Sequence, residues 1–341
     1  MDCQALYFIS PRKVEIRSEP EPSPGAGMVL VKTLCSAISP GTEMLFYLGQ
    51  IPGNLLVDQN LRGMDKTIAY PLKYGYALIG EVISMGPQVN RTWEGKRVFA
   101  FHPHESHFSA PIEELIPIPD DISIENAVFL PTMETAVNFI MDGSPIIGEK
   151  AAVFGQGVVG LLTTSLLAQF PLAKLITFDR YPLRREASER LGITACLDPI
   201  HPDCLEMTRE LLKLNGDEDG TDLTFELSGR PDVLNQAIAL TGFNGRVVIG
   251  SWYGTKQAQI DLGGRFHRSR IQLISSQVST LAPGYSGRWT KARRFETAWE
   301  MIRKVEPSQW ITQRIPFAES VGAYQMLDER PQDTIQVILT Y

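Results

Sequence analysis

The stretch Ala151-Ala-Val-Phe-Gly155-Gln-Gly157-Val-Val-Gly160-Leu-Leu162 decides how the chain is read. A short apolar run enters a Gly-x-Gly-x-x-Gly turn, and a helix is expected from Val158 to Gln169. In that setting Gly155 permits the tight turn, Gly157 lets backbone approach a pyrophosphate, and Gly160 lets helix pack on strand. Val158 and Val159 then open the helix, whose N-terminus faces the phosphates. The motif alone is weak evidence. Here the next strand, 175–178, ends in Asp179, 19 residues after the third glycine. An acid near that spacing accepts from the adenine-ribose hydroxyls, so the pattern implies a dinucleotide site. Asp179 favours NAD, because a carboxylate repels a 2′-phosphate. Arg180, Arg184 and Arg185 lie just beyond it and could clamp such a phosphate, which keeps NADP open. Arg184 and Arg185 read equally well as first-turn residues of the next helix.

Outward from this stretch the texture divides the chain. Downstream, helices at 183–191 and 233–240 alternate with strands at 223–227, 246–250 and 271–275, which implies a parallel sheet covered on both faces. Upstream, β-like runs at 28–34, 77–84 and 97–101 are separated by Pro20-Glu-Pro22, Pro24-Gly25 and Gly86-Pro87, a β-dominated rhythm. Ser123-Ile-Glu125 reads as a helix entry. After residue 278 come a Gly/Pro/Ser-rich loop, a helix at 291–304 and a strand at 334–339. The expected organisation is a β-rich domain over 1–130, a doubly wound dinucleotide-binding domain over 131–278, and a return segment over 279–341.

The chain has 341 residues, 43% of them hydrophobic, enough for about two packed domains. With 32 Lys and Arg against 39 Asp and Glu the net charge is −7, which argues against a nucleic-acid partner. The richest basic stretch, Arg265-Phe-His-Arg-Ser-Arg270, is short and reads as a loop face or a pocket edge. No run reaches the roughly 18 apolar residues of a membrane span, and the N-terminus has no leader pattern. Cys3, Cys35, Cys196 and Cys204 form no Cys-x-x-Cys pair. A cytoplasmic protein with no membrane partner is expected.

With these residues on the page, the chain resembles the medium-chain dehydrogenase/reductase superfamily of zinc alcohol and polyol dehydrogenases and zinc-free quinone reductases. The resemblance runs through 25–31, through 71–86 at the family's Gly-His-Glu motif, through Gly95-Lys-Arg-Val98, and through 155–160, 222–229 and 242–250. It implies an α/β fold in which a GroES-like β-rich domain receives an inserted Rossmann domain, nicotinamide-dependent chemistry on a small molecule, and commonly a homodimer joined at the Rossmann sheet edge. It also implies cofactor contacts at Ser228, at Gly250 and Ser251, and at Ser276 beside the carboxamide. The segments 39–43 and 71–80 are similar, more loosely, to bacteriochlorophyllide 3-hydroxyethyl dehydrogenases, a likeness that transfers no substrate.

The departures from the family matter more. Catalytic zinc needs three protein ligands and an open position. Ser39 or Pro40 stands where the family places its Cys, Tyr76 replaces the His and Ala77 the following Glu. Pro131 falls nearest the third ligand, Cys35 lies four residues too early, and the four-Cys lobe is missing. The resemblance therefore points to a zinc-free branch. Hydrogen-bond donors must then polarise a carbonyl or stabilise an alkoxide. Thr42 matches the family's proton-relay hydroxyl, and Glu43 its supporting acid. Tyr76, with Lys73 available to lower its pKa, takes the place of the lost His. His102 follows the 95–101 strand where a pocket residue belongs. Glu134 enters the helix beneath the nicotinamide, and equally reads as a cap or an Arg partner. Three histidines, His102, His104 and His107, fall within six residues; His102 and His104 with Glu105 or His107 could bind a transition metal only in a geometry the spacing does not establish, and none is expected.

The expected function is a zinc-independent, NAD(P)-dependent oxidoreductase interconverting an alcohol and a carbonyl. The alternatives are a quinone- or enone-type reductase, and a catalytically silent dinucleotide-binding protein. The loops at 46–60 and 254–270, with an apparent insertion at 48–67, should shape the substrate pocket.

Overall fold

The computed structural model describes residues 2–53, 69–212 and 219–341. Most of the insertion expected at 48–67 therefore lies outside the described residues. The chain forms two compact units, Met1–Pro131 with Glu306–Tyr341, and Thr132–Val305.

The second unit is a six-stranded parallel sheet. Its strand order is Ala195–Leu197, Lys174–Phe178, Lys150–Phe154, Thr221–Glu226, Thr241–Ile249 and Gln272–Ser275. The run Lys150-Ala-Ala-Val-Phe154 sits centrally because helices cover both faces, so every apolar residue of it is buried. Phe154 and Phe178 stack at 4.3 Å on one side, while Phe139, Leu167, Phe225 and Val248 fill the other. Each such side chain contributes about 1.5–3 kcal/mol on burial. The order reverses direction at Lys150–Phe154, and ligands of doubly wound sheets bind at the carboxyl ends of strands flanking such a reversal. The helix expected over 158–169 spans Val158–Leu167.

The first unit is β-dominated, as the proline and glycine punctuation implied. A hairpin of Asp2–Ser10 and Lys13–Pro20 pairs with Leu72–Lys73. A seven-stranded sheet runs from Ile311–Pro316 through Gln336–Thr340, Met28–Ile38, Leu78–Met85 and Arg97–Ala100 to Leu115–Pro117, with His107–Pro111 also on Met28–Ile38. Ser123 caps its short helix as expected, accepting from Asn126 N at 3.2 Å.

The return comes later than residue 279. Helix Lys291–Val305 stays in the second unit because Arg294, fully buried, reaches Glu134 Oε1 at 2.8 and 3.0 Å and Asn138 Oδ1 at 2.6 Å. The return segment also contains strand Ile311–Pro316 and helix Ser320–Glu329, which its polar composition did not reveal. Among the described residues, no helix is long and apolar enough to cross a membrane.

Candidate functional site

In the second unit the glycine turn has the geometry its sequence implied. Gly155 has φ +93°, and a Cβ there would lie 2.6 Å from Ser228 Cα. A Cβ on Gly160 would sit 1.9 Å from the Gly155 carbonyl oxygen. Only glycine allows helix Val158–Leu167 to start this close to the strand. Gly157 is its N-cap, and no side chain caps it, so the N–H groups of Val158 and Val159 open the helix without a side-chain acceptor. That is a cradle for an anion.

Asp179 is buried at the end of the neighbouring strand. Its Oδ2 accepts from Gln156 N at 2.7 Å and its Oδ1 from Tyr181 N at 2.9 Å. The carboxylate thus binds the turn to the strand end, a structural duty the spacing did not show. Gln156, also unforeseen, stiffens the turn from inside: its Nε2 donates to Gly155 O at 3.1 Å and its Oε1 accepts from Thr164 at 3.0 Å. Arg180 and Arg184 both lie over the Tyr181 ring, at 4.5 and 4.9 Å, and Arg184 Nη1 comes within 3.8 Å of where a Gly157 side chain would begin. Arg185 bends away to Asp179 O and Asp198.

The later contact residues sit at adjacent strand ends. Ser228 N and its hydroxyl bond Glu226 Oε1, and Tyr253 donates to Glu226 Oε2 at 2.5 Å. Ser251 Oγ accepts from Gly229 N at 2.9 Å. Gly250 leaves no room for a side chain against Phe139. The Ser276 hydroxyl accepts from Asn138 and donates to Asp142 Oδ2 at 2.5 Å, so it braces a helix. Lys256, within the loop expected to shape a pocket, donates to Gly229 O at 3.0 Å. Burial, then Arg230, lowers its pKa.

Glu134 also belongs to this unit. The structure realises one of its readings, the Arg partner: Arg294 Nε and Nη2 converge on its Oε1. Burial raises its pKa and Arg294 offsets part of that.

In the first unit Tyr76 donates to Ser39 Oγ at 2.7 Å, and the Thr42 hydroxyl also bonds it. Ser39 Oγ in turn accepts from Thr42 N at 3.1 Å. The structure therefore brings Thr42 and Tyr76 together through Ser39. Burial pushes the Tyr76 phenol up, and the Ser39 and Thr42 bonds only partly oppose it. Lys73 does not lower it, as its position had suggested, because its ammonium is engaged elsewhere. It lies 3.0 Å from both Glu19 Oε2 and Glu105 Oε2.

The three histidines divide into three environments. His104 is fully buried between Ser36 Oγ at 2.7 Å and Glu43 Oε2 at 2.9 Å. Glu43 Oε2 also accepts from Tyr324 at 2.5 Å, and its Oε1 accepts from Ser39 N at 2.8 Å. Glu43 thereby anchors the Ser39 turn, the supporting role its position implied. His107 lies on strand His107–Pro111 with its Nδ1 3.1 Å from Ser106 Oγ. His102 stacks on Phe108 at 4.0 Å, and its Nδ1 lies 3.1 Å from Glu105 Oε1. Burial drives its pKa down to about 4, with Lys73 and His104 pushing the same way. Among the described residues, no group of three or more His, Cys, Asp or Glu has the arrangement to hold a metal.

The donor set at the family's zinc position does not fit that ion. Zinc takes thiolate, imidazole or carboxylate. Ser39 and Tyr76 offer neutral hydroxyls bonded to each other, Pro40 offers no donor, and Glu134 is bound to Arg294. Burial raises the Cys35 thiol to about 12.

A doubly wound sheet with a glycine turn at its switch point, in a chain whose other unit is a β-rich sheet, defines a nicotinamide-dehydrogenase-like architecture. Comparison with known proteins agrees. Residues 158–300 match the family model described as zinc-binding dehydrogenase. The chain is 25% identical to D-guloside 3-dehydrogenase of Escherichia coli K12 over 78% of this chain and 77% of that protein. It is 29% identical to (R,R)-butanediol dehydrogenase of Bacillus subtilis over 73% of this chain and 77% of that one. A crystal structure of an alcohol dehydrogenase from E. coli CFT073, complexed with cofactor NADH, superposes with a TM-score of 0.79 at 18% identity, covering 100% of this chain and 99% of that one. These likenesses show a fold shared with dehydrogenases, and a stretch, 158–300, shared with the zinc-binding dehydrogenase model.

Proposed function

We propose that the protein is a zinc-independent, nicotinamide-dependent oxidoreductase that interconverts an alcohol and a carbonyl compound. The observation that carries this reading is the uncapped helix N-terminus behind Gly155 and Gly160, which fits a dinucleotide pyrophosphate. The dehydrogenase names of the relatives support the reaction class. A bound nicotinamide supplies the two-electron hydride acceptor or donor. The chain's own residues do the rest: Val158 and Val159 N–H groups hold phosphate oxygens, and Asp179 faces the adenosine ribose. Thr42, Tyr76 and His102 form the polar substrate wall.

Tyr76 and Thr42 are hydroxyls with no net charge. A phenol held protonated by burial, its O–H turned from Ser39 Oγ to a substrate oxygen, donates a hydrogen bond there and stabilises negative charge as it develops. That is the part a Lewis-acid metal plays in zinc enzymes. Glu134 stands outside this wall in the proposal, its Oε1 accepting from Arg294.

Asp179, fixed by two N–H groups at the end of the second strand, is the acid that a 2′-phosphate would have to approach, so NAD is the preferred cofactor. Arg180 and Arg184 leave measurable use of NADP. A cytoplasmic homodimer belongs to the same proposal. Strand Gln272–Ser275 is the last of its sheet, and an open strand edge is a template for a second copy.

The test is cofactor-linked turnover across a panel of alcohols and ketones, with NAD and NADP compared and metal content measured on the same sample. Turnover with NAD at substoichiometric zinc supports the reading. NADH or NADPH binding without turnover of any alcohol or ketone would favour the silent binder, and turnover confined to enones the reductase.

A further inference from the structure

His102 and Glu105 form an arrangement that the reaction class alone does not call for. Two acceptors face one imidazole nitrogen: the Pro103 carbonyl oxygen lies 3.3 Å from Nδ1 and Glu105 Oε1 lies 3.1 Å from it. Neither can donate, so Nδ1 must carry the proton. In the neutral ring Nε2 then holds the lone pair, and among the described residues nothing hydrogen-bonds it. The ring plane is fixed by stacking on Phe108, with an interplanar angle of 23°.

Glu105 is held as firmly as the ring it faces. Its other oxygen, Oε2, takes the Lys73 ammonium at 3.0 Å, and Lys73 also contacts Glu19 Oε2 at 3.0 Å. Glu19 Oε1 accepts from Tyr7. The charged and titratable groups facing this imidazole are thus Glu105 and His104 on its own loop, Lys73 on strand Leu72–Lys73, and, through Lys73, Glu19 and Tyr7 of the hairpin. The Glu105 carboxylate is buried, its side chain only 7% exposed. A buried carboxylate with one oxygen on a cation and the other 3.1 Å from a ring nitrogen is an orienting group.

We propose that Glu105 is a positioning residue: held by Lys73, it fixes His102 with Nδ1 protonated and Nε2 presented as the proton acceptor for the substrate hydroxyl. The inference rests on the alcohol/carbonyl reading above. In the oxidation direction the substrate O–H bond breaks, its proton bonds to Nε2, and the electron pair stays on oxygen to form the carbonyl. The hydride leaving the carbinol carbon goes to the oxidised nicotinamide. A base depressed to about 4 stays unprotonated through the physiological range but is weak. The adjacent Glu105 carboxylate, 3.1 Å from Nδ1, holds the ring in the orientation that receives the proton.

The experiment combines ¹⁵N NMR of the His102 ring, assigned with His102→Gln, with pH profiles of kcat/KM for Glu105→Gln and Lys73→Met. The wild type should show a protonated Nδ1 and a bare Nε2. Glu105→Gln should lower kcat for alcohol oxidation by about tenfold to a hundredfold and leave NADH affinity unchanged. The sign of the pH effect separates positioning from structural damage. Removing the anion disfavours the imidazolium and moves the acidic limb down. Removing the Lys73 cation favours it and moves the limb up. A proton on Nε2 in the wild type, or limbs that stay in place in both variants, would overturn the proposal. If no alcohol or carbonyl is turned over, the enzymatic reading fails on that ground, and the ring tautomer in wild type and Glu105→Gln still decides what Glu105 does. Should Glu105→Gln not fold, Lys73→Met alone must raise the limb or the proposal falls.

Discussion

The glycine turn of the second unit and the histidine loop of the first are two sites made from opposite materials. The turn is made of backbone. Six contiguous residues, 155–160, fix its shape, and the side chains around it, Gln156 and Asp179, bond to the main chain. The histidine loop is made of side chains brought from far apart. Glu105 meets Lys73 from 32 positions away, and Glu43 meets His104 from 61 and Tyr324 from 281. A backbone site binds what every dinucleotide shares, namely phosphate. A side-chain site sets which atoms are polarised and where a proton goes. The first tolerates no added carbon at Gly155 or Gly160; the second is sensitive to single charges.

Four positions and one control substitution, Glu134→Gln, sharpen that contrast, in order of expected effect. Arg294→Met removes one member of a fully buried ion pair and leaves Glu134 without its partner. It should cost about 3–5 kcal/mol of stability, visible in a thermal melt, while Glu134→Gln keeps much of any activity. A melt unchanged by Arg294→Met would contradict the structural role given to Glu134. Gly160→Ala places a carbon 1.9 Å from the Gly155 carbonyl oxygen, so the helix must move off the turn. NADH affinity measured by fluorescence should fall at least about tenfold, roughly 1.4 kcal/mol. Tyr76→Phe deletes the hydroxyl bonded to Ser39 and should lower kcat about tenfold or more, with NADH affinity intact. Equal loss of kcat and cofactor affinity would show that the two sites are not separable in this way. Ser251→Ala removes the acceptor of the Gly229 N–H and should cost about 1 kcal/mol, read as a small drop in the melt.

The same contrast explains what could be read in advance. The Rossmann unit was legible because its signals are local: an apolar run, three glycines at fixed spacing, and an acid at the next strand end. The departures Ser39, Pro40 and Tyr76 were legible because they fall inside motifs with known spacing. Glu105 went unrecognised as a partner of His102, and Lys73 was assigned to Tyr76, because sequence proximity says nothing about which way a loop side chain turns. The return of the chain was expected at 279 and falls at Glu306, since the contact that holds helix Lys291–Val305 joins Arg294 to Glu134 across 160 positions. His104 was legible only as one of three histidines within six residues; only tertiary packing shows that Ser36 and Glu43 enclose it.

The most direct test of the central claim is alcohol oxidation with NAD after exhaustive chelation, with zinc quantified on the same protein. The expected result is substoichiometric zinc, turnover unchanged by the chelator, and turnover lowered about tenfold or more in Tyr76→Phe. One tightly bound zinc per chain, with activity abolished by chelation and restored by added zinc, would contradict it.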